Sequence, residues 1–232
     1  MRYYDYSPKQ LEEKATELLI DFDKERLTKI KPIDVYAVIE KCLDVPYDWK
    51  YLTPDQSVLG ATAFSEGYFY AWPESRYEEG MLPFKVDVKK GTILIDSTLT
   101  EGDNRGRENF TVMHEVFHQV LHTKCFRDEG KNYMHQTYSR TIDGKIRCVS
   151  YALRIIEMQA NACAAAFLMP ADLTKKEYED RYRSAGVSRY NYGFMWDLIK
   201  EMGKDFSVSK QAMSYRLQNL GLIDENEKNL LK

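Results

Sequence analysis

Cysteine is scarce and scattered in this chain. The four residues, Cys42, Cys125, Cys148 and Cys163, form no CxxC pair and no dense cluster among 232 residues. That spacing excludes a disulfide scaffold or a cysteine-rich metal ribbon and points to reduced thiols in a cytoplasmic protein. A surplus of one charge is missing too. Net charge is −3 and the pI near 5.9, which weighs against nucleic acid or an anionic membrane as the main partner. The longest apolar run, 162–169, is far too short to span a bilayer. The opening MRYYDYSPKQ lacks the apolar core of a signal peptide. There is no phosphate loop, no dinucleotide fingerprint, no internal repeat and no Pro/Gly-rich linker. What remains is 44% hydrophobic and 30% charged, the balance of a globular chain able to bury a real core.

Local signals divide the chain into helical and extended stretches. Ser7-Pro8-Lys9-Gln10 reads as a capping box ahead of Leu11, Ala15, Leu18, Leu19 and Phe22 at helical spacing. A second helix is expected over 33–43. Residues 58–96 read as a small antiparallel sheet with two hairpins. One turns at Ser65-Glu66-Gly67 and the other at Lys89-Lys90-Gly91. A motif helix follows near 108–123, then a polar stretch in which Asp143-Gly144 could turn a hairpin of 135–141 with 145–150. A long apolar helix covers 151–169 and stops at Pro170. Short helices punctuated by Gly186, Gly203 and Gly221 complete the chain.

The motif helix contains His114-Glu115-Val116-Phe117-His118. Histidines at i and i+4 lie on one helix face about 6 Å apart and can converge on one zinc ion. Glu115 sits where a carboxylate can take a proton from a water at that ion. Met113, Val116, Phe117, Val120 and Leu121 supply an apolar flank. A five-residue motif of this kind arises by chance in roughly half a per cent of such chains, so a third ligand is needed to make a site. His122 extends the series, but it lies about 12 Å from His114 along the axis, too far to share one ion. It is expected to be a partly exposed residue near the helix end. Glu157 is the better third ligand, because a carboxylate on a buried helix needs a compensating cation. Asn161, one turn further on the same face, is placed to orient a ligand from behind.

The two segments RENFTVMHEVFHQVLH and IEMQANACAAAFLMP resemble the ImmA/IrrE family of zinc metallopeptidases. That family pairs an F-T-x-x-H-E-x-x-H helix with a later E-x-x-A-N-x-x-A-x-x-L-M-P helix. Phe110-Thr111 precede the first histidine here, and Ala160-Asn161, Ala164 and Leu168-Met169-Pro170 match the second segment. Weaker similarity runs through Pro32-Ile33-Asp34 and from Val208-Ser209 to Leu222. Phe117 stands where the family often has glycine, and 123–150 is longer than usual.

The resemblance implies an α+β zincin-like core with a small antiparallel sheet and two active-site helices over 1–170, and a helical C-terminal segment over 171–232. It also implies zinc held by His114, His118 and Glu157, with Glu115 as base. The activity implied is hydrolysis of a peptide bond in a specific protein, often a helix-turn-helix repressor encoded on a mobile element. Tyr133, His135, Tyr138 and Arg154 are candidates for stabilising the oxyanion. The tail 206–222 resembles the second helix of a helix-turn-helix, with Ser209 as N-cap and Ala212, Leu217 and Leu220 as core. Without a basic surplus, packing is its expected role rather than DNA contact. The aromatic run Tyr68–Trp72 reads as strand core with an edge that could take an extended substrate. The competing class is a regulator of DNA or protein whose metal is structural. Structural zinc sites favour cysteine, and neither motif helix offers one at ligand spacing.

Overall fold

The structure is a computed structural model that describes residues 3–76, 78–126, 151–186 and 192–225, together with the backbone of 134–138. It is a mixed α+β fold of two compact units, and no single cut along the chain separates them. One unit takes 1–6, 35–104 and 111–161; the other takes 7–34, 105–110 and 162–232.

The first unit is built on a four-stranded sheet of order β1-β5-β2-β6. Its strands are β1 (Tyr47–Lys50), β2 (Val58–Ala63), β5 (Ile93–Asp96) and β6 (Met134–Tyr138). β2 runs antiparallel to both neighbours, while β1 and β5 are parallel. The sheet is therefore mixed rather than purely antiparallel. Every residue of β2 and β5 is buried, which explains why neither shows an apolar–polar alternation. A second, two-stranded sheet pairs β3 (Gly67–Ala71) with β4 (Phe84–Val88). Here alternation survives: Phe69, Ala71 and Val88 join the core, whereas Tyr68 and Tyr70 are exposed.

Neither expected hairpin forms. Both lateral positions beside β2 are taken by β5 and β6, so Ser65-Glu66-Gly67 carries the chain from one sheet to the other. Lys89-Lys90-Gly91 does turn, with Thr92 N–H donating to the Lys89 carbonyl at 3.1 Å and Gly91 at φ 91°. Its flanking strands then part, β4 to β3 and β5 to β1 and β2. Turn chemistry specified a reversal in both places, and pairing was decided by tertiary competition. Of the expected hairpin at Asp143-Gly144, 134–138 is a strand and 139–150 lies outside the described residues.

α2 (Val35–Val38) passes directly into a π-helical turn, Ile39–Leu43, within the expected span. The motif helix is α3 (Arg105–His122), of which 105–110 belong to the second unit and the remainder to the first. α4 (Tyr151–Leu168) carries Glu157 and Asn161 in the first unit and its alanine-rich end in the second.

The second unit contains α1 (Pro8–Asp23), α5 (Ala171–Ala185), α6 (Tyr192–Asp205) and α7 (Lys210–Asn219). The Ser7–Gln10 capping box is present, and Leu11, Ala15 and Leu19 are buried. Gly186 ends α5 in the left-handed conformation. Gly203, by contrast, does not punctuate the chain but lies inside α6, where a Cβ would stand 3.2 Å from the Val208 carbonyl oxygen. At Gly106 a Cβ would meet the Val208 carbonyl carbon at 2.5 Å, so two glycines admit the segment that leads into α7. Ser209 caps α7, accepting from Ala212 N–H at 3.1 Å. Leu217 is fully buried, while Ala212 and Leu220 are only half-buried. Arg216, 4% exposed, donates from Nε to the Met169 carbonyl at 2.9 Å and forms a two-pronged pair with Glu12. Among the described residues no helix is long and apolar enough to cross a membrane.

Candidate metal centre

Helical periodicity puts His114, Glu115 and His118 on the inward side of α3. Residues 111–118 are all buried, and Leu121 and His122 continue that surface. Met113, Val116 and Phe117 are fully buried, as the apolar flank requires; Val120 instead turns out to solvent at 42% exposure. Glu157 comes from α4 and is 8% exposed. Together His114, His118 and Glu157 form a buried group able to hold a metal ion, with one ligand atom from each within 4.8 Å of the others. His114 Nε2 lies 3.3 Å from Glu157 Oε2, and His118 Nε2 lies 3.4 Å from Glu157 Oε1. The edge of a tetrahedron around zinc is about 3.3 Å for bonds near 2.0–2.1 Å. The two imidazole nitrogens stand 2.8 Å apart, a little closer than that edge.

Proton bookkeeping on the histidines is more informative than the distances. Asn161 Oδ1 lies 3.1 Å from His114 Nδ1. An amide oxygen only accepts, so Nδ1 carries the hydrogen and Nε2 presents its lone pair to the cluster. On the other side, Gln159 Nε2 donates to the Tyr4 carbonyl at 2.7 Å, which fixes the amide and aims Oε1 at His122 Nε2, 3.0 Å away. His122 therefore donates from Nε2 and accepts at Nδ1. Its Nδ1 lies 3.0 Å from His118 Nδ1, so His118 donates there and also turns its Nε2 lone pair inward. Two imidazole lone pairs and a carboxylate thus face one another in a buried space. Such an arrangement repels itself without a cation, and the donor set of two nitrogens and one carboxylate oxygen suits zinc. The local field likewise favours positive charge in this space. Burial pushes the His114 imidazole towards neutrality, yet hydrogen bonding and charge from Glu157, with Glu115 and Asn161 adding to them, hold its pKa above the ordinary value.

Glu115 faces the sheet. It is fully buried, and its Oε2 accepts from the Thr62 hydroxyl on β2 at 2.5 Å. Gly60, two residues earlier on that strand, makes room for it. A Cβ at 60 would lie 2.4 Å from Glu115 Oε1 and 2.9 Å from Cδ and Cγ. Sequence reasoning missed Gly60 and Thr62. The only available signal was a glycine inside an apolar strand run, which marks close approach by something else. It also misjudged His122, which is 1% exposed rather than partly exposed, because a polar partner from α4 buries it. Its exclusion as a third ligand on distance agrees with its absence from the cluster.

Among the expected oxyanion donors, Tyr133 lies outside the described residues. His135 and Tyr138 sit on β6 at the register positions of Thr62 and Val58. Arg154 is exposed, and Glu157 lies against the two histidines.

Comparison with known proteins finds no match among curated sequences. The Peptidase M78 family model, described as the IrrE N-terminal-like domain, matches residues 78–218. That span covers more than half of the chain, includes both α3 and α4, and suggests a metallopeptidase. The chain belongs to the Peptidase M78 family.

Proposed function

We propose that the protein is a zinc-dependent endopeptidase in which His114, His118 and Glu157 hold the metal and Glu115 is the general base. The observation that carries this reading is the convergence of two buried imidazoles and a buried carboxylate beside a second buried carboxylate. A bound zinc ion supplies a Lewis acid that polarises the scissile carbonyl and acidifies water. The chain's own residues do the rest. Glu115 accepts a proton from the attacking water and delivers it to the leaving amine. The Thr62 hydroxyl holds Glu115 Oε2, which restricts the carboxylate to one orientation. Asn161 keeps the hydrogen of His114 on Nδ1 and so leaves Nε2 for the metal.

The substrate we propose is a specific protein of the helix-turn-helix repressor class, encoded on a mobile element, as the likeness to the ImmA/IrrE pattern implies. DNA contact through α7 forms no part of the proposal, since Arg216 is buried and committed to Glu12 and Met169. A cytoplasmic setting is supported by Cys42, Cys125 and Cys163, which make no disulfide.

Metal analysis of protein purified without added metal tests the site. Stoichiometric zinc in the wild type, lost in His114→Ala and His118→Ala, is expected; a metal-free wild type of unchanged stability would overturn the assignment. The activity is tested by comparing new protein N-termini in cells expressing wild type or Glu115→Gln. Glu115 is not a ligand in this scheme, so the variant should keep zinc while cleavage drops by about 10²–10⁴. Identical sets of N-termini would remove the claim of proteolysis.

A further inference from the structure

His122 is not within reach of the metal cluster as a ligand, yet it is buried and bonded at both ring nitrogens. The mechanism so far gives it no role. From the hydrogen-bond chain that ends on it, we infer that His122, set by Gln159 and the Tyr4 carbonyl, is a positioning residue. It holds the His118 tautomer and ring in the state that binds metal. This rests on the metal-site reading above.

The chain has one direction only. A backbone carbonyl cannot donate, so the Tyr4 oxygen obliges Gln159 to approach it with the NH2 group, at 2.7 Å. The Gln159 oxygen then receives the His122 Nε2 hydrogen at 3.0 Å. A neutral imidazole with its hydrogen on Nε2 accepts at Nδ1, and His118 Nδ1 is the donor that meets it, 3.0 Å away. The two links at His122 are buried, so water does not compete there, and the link to Tyr4 is part-buried. The consequence at the far end is a His118 Nε2 with a lone pair directed at His114 Nε2 and the Glu157 carboxylate. The opposite tautomer would place a hydrogen on Nε2, where the ion belongs.

Geometry adds a second constraint. The His118 and His122 rings lie 5.1 Å apart at 53°, and the His114 and His118 rings 4.5 Å apart at 72°. One helix therefore repeats the same four-residue step twice. The first step brings the two proposed ligands together, and the second supplies the group behind one of them. Asn161 serves His114 in the equivalent way from α4. Partners of this kind typically change metal affinity by about 10–100-fold when removed.

The test compares His122→Phe with His122→Asn in the full-length protein. Phenylalanine keeps a ring of similar size but has no acceptor for His118. Asparagine sacrifices ring volume but places an amide oxygen where Nδ1 stood. Zinc affinity is read by chelator competition, and cobalt substitution reports ligand geometry through its visible spectrum. Circular dichroism of the metal-free forms separates misfolding from lost affinity. We expect affinity to fall about 10–100-fold in His122→Phe and to stay within a few-fold of wild type in His122→Asn. Should His122→Phe fail to fold, Gln159→Leu, which removes the acceptor for His122 Nε2, carries the same expectation of weakened zinc binding. Nitrogen-15 spectra of the histidines in zinc-loaded wild type should show His122 neutral with its hydrogen on Nε2. Wild-type zinc affinity in His122→Phe, equal loss in the phenylalanine and asparagine variants, or a hydrogen on His122 Nδ1 would each overturn the inference. Failure of the wild type itself to bind zinc would instead strike the metal-site reading.

Discussion

Gly60→Ala puts the closest contact of the site under direct strain. The alanine Cβ would stand 2.4 Å from Glu115 Oε1 and 2.9 Å from Cδ and Cγ. Ordinary contact requires about 3.5–4.0 Å between carbons, so Glu115 must retreat by roughly 1 Å or β2 and α3 must separate. The side chain is fully buried and held at Oε2 by Thr62, so it has no easy place to go. Two effects compete in stability. Alanine narrows the unfolded ensemble and on its own would stabilise by about 0.4–1 kcal/mol, since Gly60 does not occupy the left-handed region. Overpacking costs about 1–3 kcal/mol and wins. For catalysis, a misplacement of about 1 Å in a reacting group is worth about 10²-fold. The three atoms nearest the added Cβ all belong to Glu115 rather than to a proposed ligand, so zinc should remain. The assay is chemical denaturation with metal analysis, followed by cleavage of the substrate identified from new N-termini. A variant as stable and active as wild type would show that β2 and Glu115 are not held together as described. Loss of zinc with unaltered stability would refute the separation of base from ligands.

Thr62→Val removes the hydroxyl that donates to Glu115 Oε2 and leaves a buried carboxylate short of a donor, at a cost of about 1–3 kcal/mol. Cleavage should fall with zinc retained, and Thr62→Ser should restore much of the loss; a valine variant of full activity would discard Thr62 as an orienting group. Cys163, which donates to the Leu11 carbonyl at 3.3 Å, has its thiol pushed by burial up to about 12 from an ordinary value of 9.0. Mapped alkylation at pH 8 should therefore find Cys163 protected in the folded protein and reactive only after unfolding. The sign for stability follows from the same shift. Below pH 9 the thiol is protonated in both states and its contribution is fully present. As pH rises towards 12 the unfolded chain alone gives up the proton, and stability falls. Rapid labelling of folded protein at pH 8 would contradict the burial of this residue.

The parts of the site legible in the sequence are those that a single helix or a single energetic demand specifies. A spacing of four residues on an amphipathic helix brings His114 and His118 together, and the cost of burying a charge singles out Glu157 on the apolar helix. The capping box at Ser7 and the N-cap at Ser209 are legible for the same reason, because each acts within one turn of itself. What escaped is supplied by long-range contact. The Thr62–Glu115 bond spans 53 residues and the Gln159–Tyr4 bond spans 155. Strand order escaped in the same manner. Local signals favour β2 as the neighbour of Gly67–Ala71 across the short link 64–66, yet the strand pairs with β4 across the longer connection 72–83.

His122 shows where helical arithmetic succeeds and where it stops. Its distance from His114 along α3 rightly removes it from the ligand set, but the same step of four that joins His114 to His118 also joins His118 to His122. A residue excluded from the proposed metal site by one interval is placed directly behind a proposed ligand by the next. Exposure was the wrong expectation because a helix terminus alone predicts solvent, whereas Gln159 from α4 closes over this one. The series of histidines therefore has two different jobs written in one spacing: the first pair presents lone pairs inward, and the third imidazole keeps the hydrogen of the second turned away from them.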